Sequence, residues 1–372
     1  MTSCHDEIPD PVEPGTILHT IPPRNQWQPD DLTALKGITI QAEVPARIHL
    51  SVLDMTRFAP GHPGGGGVGY AIQMYARSQV KINELFTSTD PQVIPELNIK
   101  ARRSSLVEHL TRIFLSHLEL SGSLDVMGVG HDINHMGLGS TSALVTSVAL
   151  SLNHALGEPY TMDGIRELIG YNFMEEWEGE MVIPGFETGV GPLVGIRGGF
   201  GVLSDKLHPV TTFPIPENMD VVIALLEEEM SDTLVESKNA GISETELLMN
   251  RARALDERDR ANKSYEVLMR LIPAGDAGDI KRVGESVWKL QHMGSKIAEI
   301  EHHSNAEDIY QTLEVMRNFG SVITGMSSVG PAITGLVEEG QGDDLADLIR
   351  DRGYRVIVTH PDCCGAKICP HE

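Results

Sequence analysis

Basic residues are scarce in this 372-residue chain: 29 lysines and arginines stand against 53 aspartates and glutamates, a formal net charge of -24. A surface of that sign argues against nucleic acid as a partner, and a polyanionic small molecule must be held by local dipoles and a few placed cations. Cysteine is scarce too, with three of the four residues crowded at Cys363, Cys364 and Cys369. That is no disulfide framework, and a reduced, cytoplasmic setting is expected. No apolar run approaches the length of a membrane span, and Met1 to Arg24 carries prolines instead of an apolar core. Neither a membrane association nor a signal peptide is expected. A Walker A loop, a dinucleotide fingerprint and an internal repeat are all missing.

Glycine is plentiful and clustered. The most informative cluster is His135 to Leu144, His-Met-Gly-Leu-Gly-Ser-Thr-Ser-Ala-Leu, which runs into a helical pattern. Leu144, Val148, Leu152 and Leu156 recur every four residues as one buried face, and Gly157 supplies the stop. Gly137 and Gly139 flank Leu138 and let a backbone approach phosphate oxygens. Ser140, Thr141 and Ser142 add donors at a helix N-terminus, where unpaired N–H groups and the positive dipole end attract anions. The same residues also read as a glycine turn with an ordinary hydroxyl cap. Gly61 to Gly69, Gly-His-Pro-Gly-Gly-Gly-Gly-Val-Gly, reads as a flexible or ligand-wrapping loop. Gly185 to Gly201 holds seven glycines in seventeen residues and permits a backbone folded tightly around a site. Gly325 to Leu336 is a further glycine–hydroxyl loop, read as leading into a helix.

Residues 1–35 are proline-rich and read as an extended arm. Alternation predicts strands over Gly37–Leu53 and Tyr70–Val80, and helices are expected over Ser105–Leu118 and Thr161–Tyr171. Past Pro209 the pattern gives a strand at Val221–Leu226, an acidic loop at Glu227–Glu229, and helical periodicity over Ser243–Arg260, Ser264–Ile272 and Asp279–Ile300. Ser304 to Glu307 has capping-box spacing before a helix through Arg317, and Tyr354–Thr359 is read as the last strand. A strand-rich first half and a helix-rich second half predict an α+β fold of two domains, 36–208 and 209–372.

Taken together, three motifs resemble the GHMP small-molecule kinase superfamily: Pro45-Ala46-Arg47-Ile48-His49-Leu50, Gly137-Leu138-Gly139-Ser140-Thr141-Ser142-Ala143 and Ser327-Ser328-Val329-Gly330-Pro331. Within it, Arg47-Ile48-His49, Leu53-Asp54-Met55, Gly66-Gly67-Val68-Gly69 and Gly198-Gly199-Phe200 are similar to the β-ribofuranosylaminobenzene 5′-phosphate synthase branch. The resemblance implies a two-domain fold with mixed and antiparallel sheets around a central ligand cleft. It also implies a decarboxylating C-ribosyltransferase: 5-phosphoribosyl 1-pyrophosphate joined to an aromatic acid through a C–C bond, with release of carbon dioxide and pyrophosphate, aided by Mg²⁺, in a homodimer. No Asp lies between Asp163 and Asp205, where the kinases of the superfamily typically place one, and a carbon nucleophile needs no hydroxyl deprotonation. The synthases that use 4-aminobenzoate carry an Arg and an acid just before the Gly-Gly-Val-Gly run, whereas this chain has Pro63, Gly64 and Gly65. A heteroaromatic acid is therefore expected, a pyrazole dicarboxylate as in formycin- and pyrazofurin-type C-nucleoside synthesis. The alternatives are 4-aminobenzoate, an ATP-dependent kinase of a small alcohol, and a non-enzymatic phosphosugar-binding regulator.

On this reading the Gly137–Ser142 loop holds the pyrophosphate and Ser327, Ser328 and Gly330 hold a second anionic group, or the reverse. Asp54, at a strand end, would stabilise the cationic sugar or bond the acceptor ring; it also reads as an ordinary strand-end carboxylate. Arg47 and His49 alternate with Ile48 and Leu50, so both face one side of a strand, binding ligand or satisfying each other. Arg197 and Lys206 are candidates for an acceptor carboxylate, and Glu187 for a metal. Cys363, Cys364, Cys369, His360 and His371 lack the paired spacing of a zinc knuckle.

Overall fold

The computed structural model describes residues 10–24, 27, 31–57, 59–90, 92–131, 133, 136–178, 180–226 and 244–370. His135, Glu227–Glu229, Ser243, His371 and the first nine residues of the expected arm lie outside them.

The α+β expectation holds. Two long antiparallel strands, β1 (Thr39–Val52) and β2 (Gly67–Thr87), organise the first half. Around them β3 (Glu96–Ala101), β4 (Leu120–Val129), β7 (Phe200–Leu203), β8 (Pro209–Phe213) and β13 (Lys367–Pro370) complete a seven-stranded sheet. A short hairpin, β5 (Met174–Glu176) and β6 (Val182–Pro184), stands apart. The second half is a four-stranded antiparallel sheet in the order β10 (Ile323–Met326), β11 (Ala332–Glu338), β9 (Met219–Leu225), β12 (Arg355–Thr359). Both β8 and β13 lie beyond residue 208 yet belong to the first sheet, so the chain crosses back over the expected boundary. Tyr354–Thr359 is not the last strand, because Lys367–Pro370 returns to pair with β1 and sets Cys369 opposite Gln41.

A register shift beside Pro45 divides β1 in two. Ile40, Ala42 and Val44 pack beneath α1 (Ser104–His117) and α2 (Ser140–Ala155), whereas Ala46, Ile48 and Leu50 pack against β9, β10 and α7 (Ile280–Leu290) of the second half. One strand thus serves both cores, and Arg47 and His49 are left on its other side. Fourteen of the sixteen residues of α2 are buried, so it is a central helix and not the amphipathic one its leucine spacing suggests. Its small polar residues are absorbed locally: Ser147 donates to the Leu144 carbonyl and Ser151 meets Ser78. Beyond it come α3 (Met162–Tyr171) and α4 (Val190–Arg197).

Several local expectations are corrected. Gly61–Gly69 is no flexible loop: residues 63–69 are buried and Gly67–Gly69 open β2. The described residues of the two segments expected as separate helices before and after Arg260 form one continuous helical run, α5 (Glu244–Glu266), a π turn at Val267–Leu271 and α6 (Ile272–Asp276). Asp279–Ile300 is instead two helices, α7 and α8 (Ser295–Glu301). Gly294 breaks it, with φ +59° and a site where a β-carbon would stand 2.0 Å from Asp256 Oδ1. The capping box is not formed, since Asn305 precedes α9 (Ala306–Phe319) without a side-chain cap. Gly325–Leu336 leads into strand β11, not a helix; the remaining helix is α10 (Gly342–Arg350). Among the described residues no helix is long and apolar enough to cross a membrane.

The described part of the arm is strapped down. Leu18 and His19 N–H groups donate to Asn172 Oδ1 at 2.9 and 3.1 Å, and Gly15 N–H donates to His109 Nδ1 at 3.0 Å. His109 Nε2 donates to the Asn172 carbonyl at 3.0 Å, which fixes the neutral tautomer. Burial lowers the His109 pKa to about 4, only partly opposed by the Asn172 bond. Between pH 6.5 and about 4 the unfolded chain therefore binds the extra proton, and stability falls as pH drops through that window. Urea unfolding across pH 6.5 to 5 should show this slope, shallower in His109→Gln; an unchanged slope in the variant would contradict it.

Candidate active site

Two of the glycine motifs meet on β1. The Arg47 N–H donates to the Leu138 carbonyl at 3.4 Å and its guanidinium Nη1 to the Gly137 carbonyl at 2.7 Å. From the other side, Ser327 Oγ donates to the same Gly137 carbonyl at 2.7 Å and accepts the His49 N–H at 3.0 Å. Ser328 N–H donates to the His49 carbonyl at 2.7 Å. The loop before α2 and the loop between β10 and β11 are therefore clamped to alternate residues of one strand, Arg47 and His49. The packing is close, since a β-carbon at Gly137 would lie 2.2 Å from the Ser327 carbonyl oxygen. Ser327 spends its hydroxyl on backbone, so its role is to join the loops; Ser328 and Gly330, with φ +55° and +79°, shape the turn itself.

Helix α2 starts at Gly139, in the left-handed region at φ +70°, with no side-chain cap. Its first-turn N–H groups have no partner within the helix, which leaves the dipole end for an anion. Ser140 Oγ accepts from Arg103 at 3.4 Å, a cation that sequence reading missed, and Thr141 is half-buried. Ser142 Oγ is buried without a partner, as are Arg47 Nε and His49 Nδ1. Buried polar atoms are rarely left unpaired, and here β1 contributes two and α2 one. Ser142 and Arg47 converge on Gly191 at the start of α4, where a β-carbon would stand 2.1 Å from Ser142 Oγ and 3.8 Å from Arg47 Cγ.

The opposite wall is the Glu187–Gly191 turn. Glu187, 8% exposed, accepts the Gly189 N–H at 2.6 Å. Burial raises its pKa, while that bond and the nearby Arg47 charge oppose the rise. Thr188 Oγ1 meets His49 Nε2 at 3.3 Å. Burial holds His49 well below the ordinary histidine range, and the charges of Arg47, Lys296 and Lys263 press the same way. The imidazole is consequently neutral at physiological pH, a hydrogen-bonding group and not an acid. Both lysines are buried and come from the second half of the chain. Lys263 donates to Asp256 at 2.6 Å and to the Val52 carbonyl at 2.7 Å, and Lys296 pairs with Glu299. Within a chain of charge -24, the field of three cations acts on His49.

Other expected residues are engaged in bonds of their own. Asp54 follows the end of β1. Its carboxylate accepts from Thr56 N–H and Oγ1 at 3.0 and 2.6 Å and from Arg260 Nε at 3.0 Å, joining the end of β1 to α5. Those bonds outweigh burial and hold its pKa below the usual value. Arg197 closes the far end of α4, roughly 10 Å from Gly191 at a helical rise, and pairs with Asp163 at 3.2 Å, so it does not line this cluster. Lys206 is exposed in the turn after β7, beside Asp205, which bonds Arg57 and the Gly65 N–H. Cys363 donates to the Ile215 carbonyl at 2.9 Å. Among the described residues no three His, Cys, Asp or Glu side chains are grouped to hold a metal.

The fold is GHMP-kinase-like. It is similar to mevalonate diphosphate decarboxylase from Staphylococcus aureus, with TM-score 0.62, 11% identity and coverage of 91% of this chain and 100% of that one. Galactokinase from Lactococcus lactis gives TM-score 0.61 at 12% identity over 88% and 95%. In sequence the chain is similar to two proteins named beta-ribofuranosylphenol 5′-phosphate synthase. The one from Methanothermobacter thermautotrophicus is 24% identical over 350 residues, covering 87% of this chain and 96% of that protein. The one from Archaeoglobus fulgidus is 23% identical over 345 residues, covering 88% and 99%. No family model matches the chain.

The clamp can be probed with inorganic pyrophosphate. Gly139→Val forces φ +70° on a β-branched residue and sets its Cβ 3.0 Å from Arg47 Cγ, so it should abolish calorimetrically detected binding. Ser327→Ala should cost about 1–3 kcal/mol of stability by stranding the His49 N–H. Undiminished binding in Gly139→Val would refute the assignment of the α2 terminus.

Proposed function

We propose that the protein couples 5-phosphoribosyl 1-pyrophosphate to an aromatic carboxylic acid, forming a C–C bond at the anomeric carbon with loss of carbon dioxide and pyrophosphate. The observation that carries this reading is the junction of two glycine loops on Arg47 and His49, which suits a substrate with anionic groups at both ends. The sequence similarity to synthases of a ribosylated phenol phosphate supports the same donor and favours a para-substituted benzoate, such as 4-aminobenzoate, as acceptor. A pyrazole dicarboxylate is the second reading, favoured by Gly64. A β-carbon there would stand 2.2 Å from the Arg57 carbonyl oxygen, so this loop has no room for the side chains of the aminobenzoate synthases.

Charge development dictates the work of the site. As the anomeric C–O bond lengthens, negative charge grows on pyrophosphate and positive charge on the sugar. The α2 N-terminus, Arg47 and the nearby buried lysines are oriented before reaction and favour the departing anion. Neutral His49 offers Nδ1 to a ligand oxygen without adding a cation next to the sugar. The acceptor's ring carbon attacks opposite the leaving group, and loss of carbon dioxide restores aromaticity, so no hydroxyl base is required. Mg²⁺ fits as an auxiliary: it takes one or two carboxylates plus substrate oxygens, and Glu187 with the unpartnered Ser142 hydroxyl would hold it. There it would neutralise pyrophosphate oxygens.

Thermal stabilisation by 5-phosphoribosyl 1-pyrophosphate exceeding that by ATP is expected. With donor present, a panel of 4-aminobenzoate, 4-hydroxybenzoate and aminopyrazole dicarboxylate should yield one ribosylated product lighter by carbon dioxide. Stabilisation by ATP alone would point to a kinase, and donor binding without pyrophosphate release to a regulator; either result overturns the proposal.

A further inference from the structure

Lys296 is completely buried on α8, and its ammonium donates to the Ser328 carbonyl at 2.8 Å and the Met326 carbonyl at 3.3 Å while paired with Glu299. Burying an ammonium is expensive, and a pairing made only for stability is often matched by apolar packing. This one points at the loop that closes on β1. The Ser328 peptide is gripped at both ends, its N–H by the His49 carbonyl and its C=O by Lys296. Ser328 is held at φ +55°, a conformation a serine adopts only when its surroundings impose it.

We propose that Lys296 is a positioning residue for the donor: it fixes the Ser327–Gly330 turn in the shape that completes the anion site and adds positive charge behind it. The inference rests on the proposed reaction. Lys296 faces Glu299 on its own helix, Lys263 on α5, and Arg47 and His49 on β1. Burial lowers its pKa, Lys263 and Arg47 lower it further, and Glu299 holds it up. Removing the Glu299 charge therefore makes the ammonium easier to deprotonate, without removing its bonds to the loop at neutral pH.

The test is calorimetric binding of 5-phosphoribosyl 1-pyrophosphate to the full chain, followed from pH 6.5 to 9.5, with kcat and KM measured alongside. Lys296→Met should weaken donor binding at least about tenfold at neutral pH, with KM for the donor rising more than kcat falls, and Lys296→Arg should recover part of it. Glu299→Gln should bind near normally at pH 7 and lose binding at a lower pH than the wild type, a displacement that a purely structural pairing does not produce. If Lys296→Met fails to fold, the Glu299→Gln profile decides. An unshifted alkaline limb in Glu299→Gln, or binding by folded Lys296→Met within about twofold of wild type, overturns the inference. Failure of the wild type itself to bind the donor would instead overturn the proposed reaction.

Discussion

The hydroxyl of Ser327 holds the molecule's two halves in functional register. It joins the Gly137 carbonyl, at the entrance to α2, to the His49 N–H of β1, from a loop that belongs to the second sheet. An isolated pair of hydrogen bonds of this kind contributes only about 1–3 kcal/mol, but it decides which peptide groups face one another. Gln291 reinforces it, donating to the Leu50 carbonyl at 2.7 Å and accepting the Met326 N–H at 2.9 Å. Because Ile48 and Leu50 pack into the shared core, the strand cannot shift without disturbing both halves.

The electrostatics follow from that geometry. Two lysines, buried with Asp256 and Glu299 beside them, reach β1 and its loops from the second half, so positive potential gathers at His49 in a strongly acidic chain. A low-dielectric setting strengthens the attraction of these cations for an incoming anion. The same burial keeps His49 neutral and makes Glu187 harder to ionise. Preorganised charge of this kind suits a reaction whose barrier is the departure of a polyanion.

Much of the frame was legible in the residues. Alternation marked β1, periodicity marked α1 and α3, and the Gly-Leu-Gly-Ser-Thr-Ser run marked the start of α2. Helix α4 was not legible, because glycine disfavours helix locally. It forms since Gly191 and Gly195 let it press against Ser142 and Val44, at sites where a β-carbon would meet them at 2.1 and 2.9 Å. Lys263, Lys296 and Asp256 carried no motif, and their importance arises from contacts spanning 30 to more than 200 residues. Asp54 and Arg197 stood beside motifs, yet each is engaged by an ion partner that no motif marked, Arg260 and Asp163.

The central claim is that the two glycine loops form a single donor site. Hydrogen exchange with and without 5-phosphoribosyl 1-pyrophosphate tests it most directly. Residues 137–143 and 326–331 should gain protection together, at the same donor concentration. Protection of one segment without the other, or of both by ATP and neither by the donor, would contradict the account.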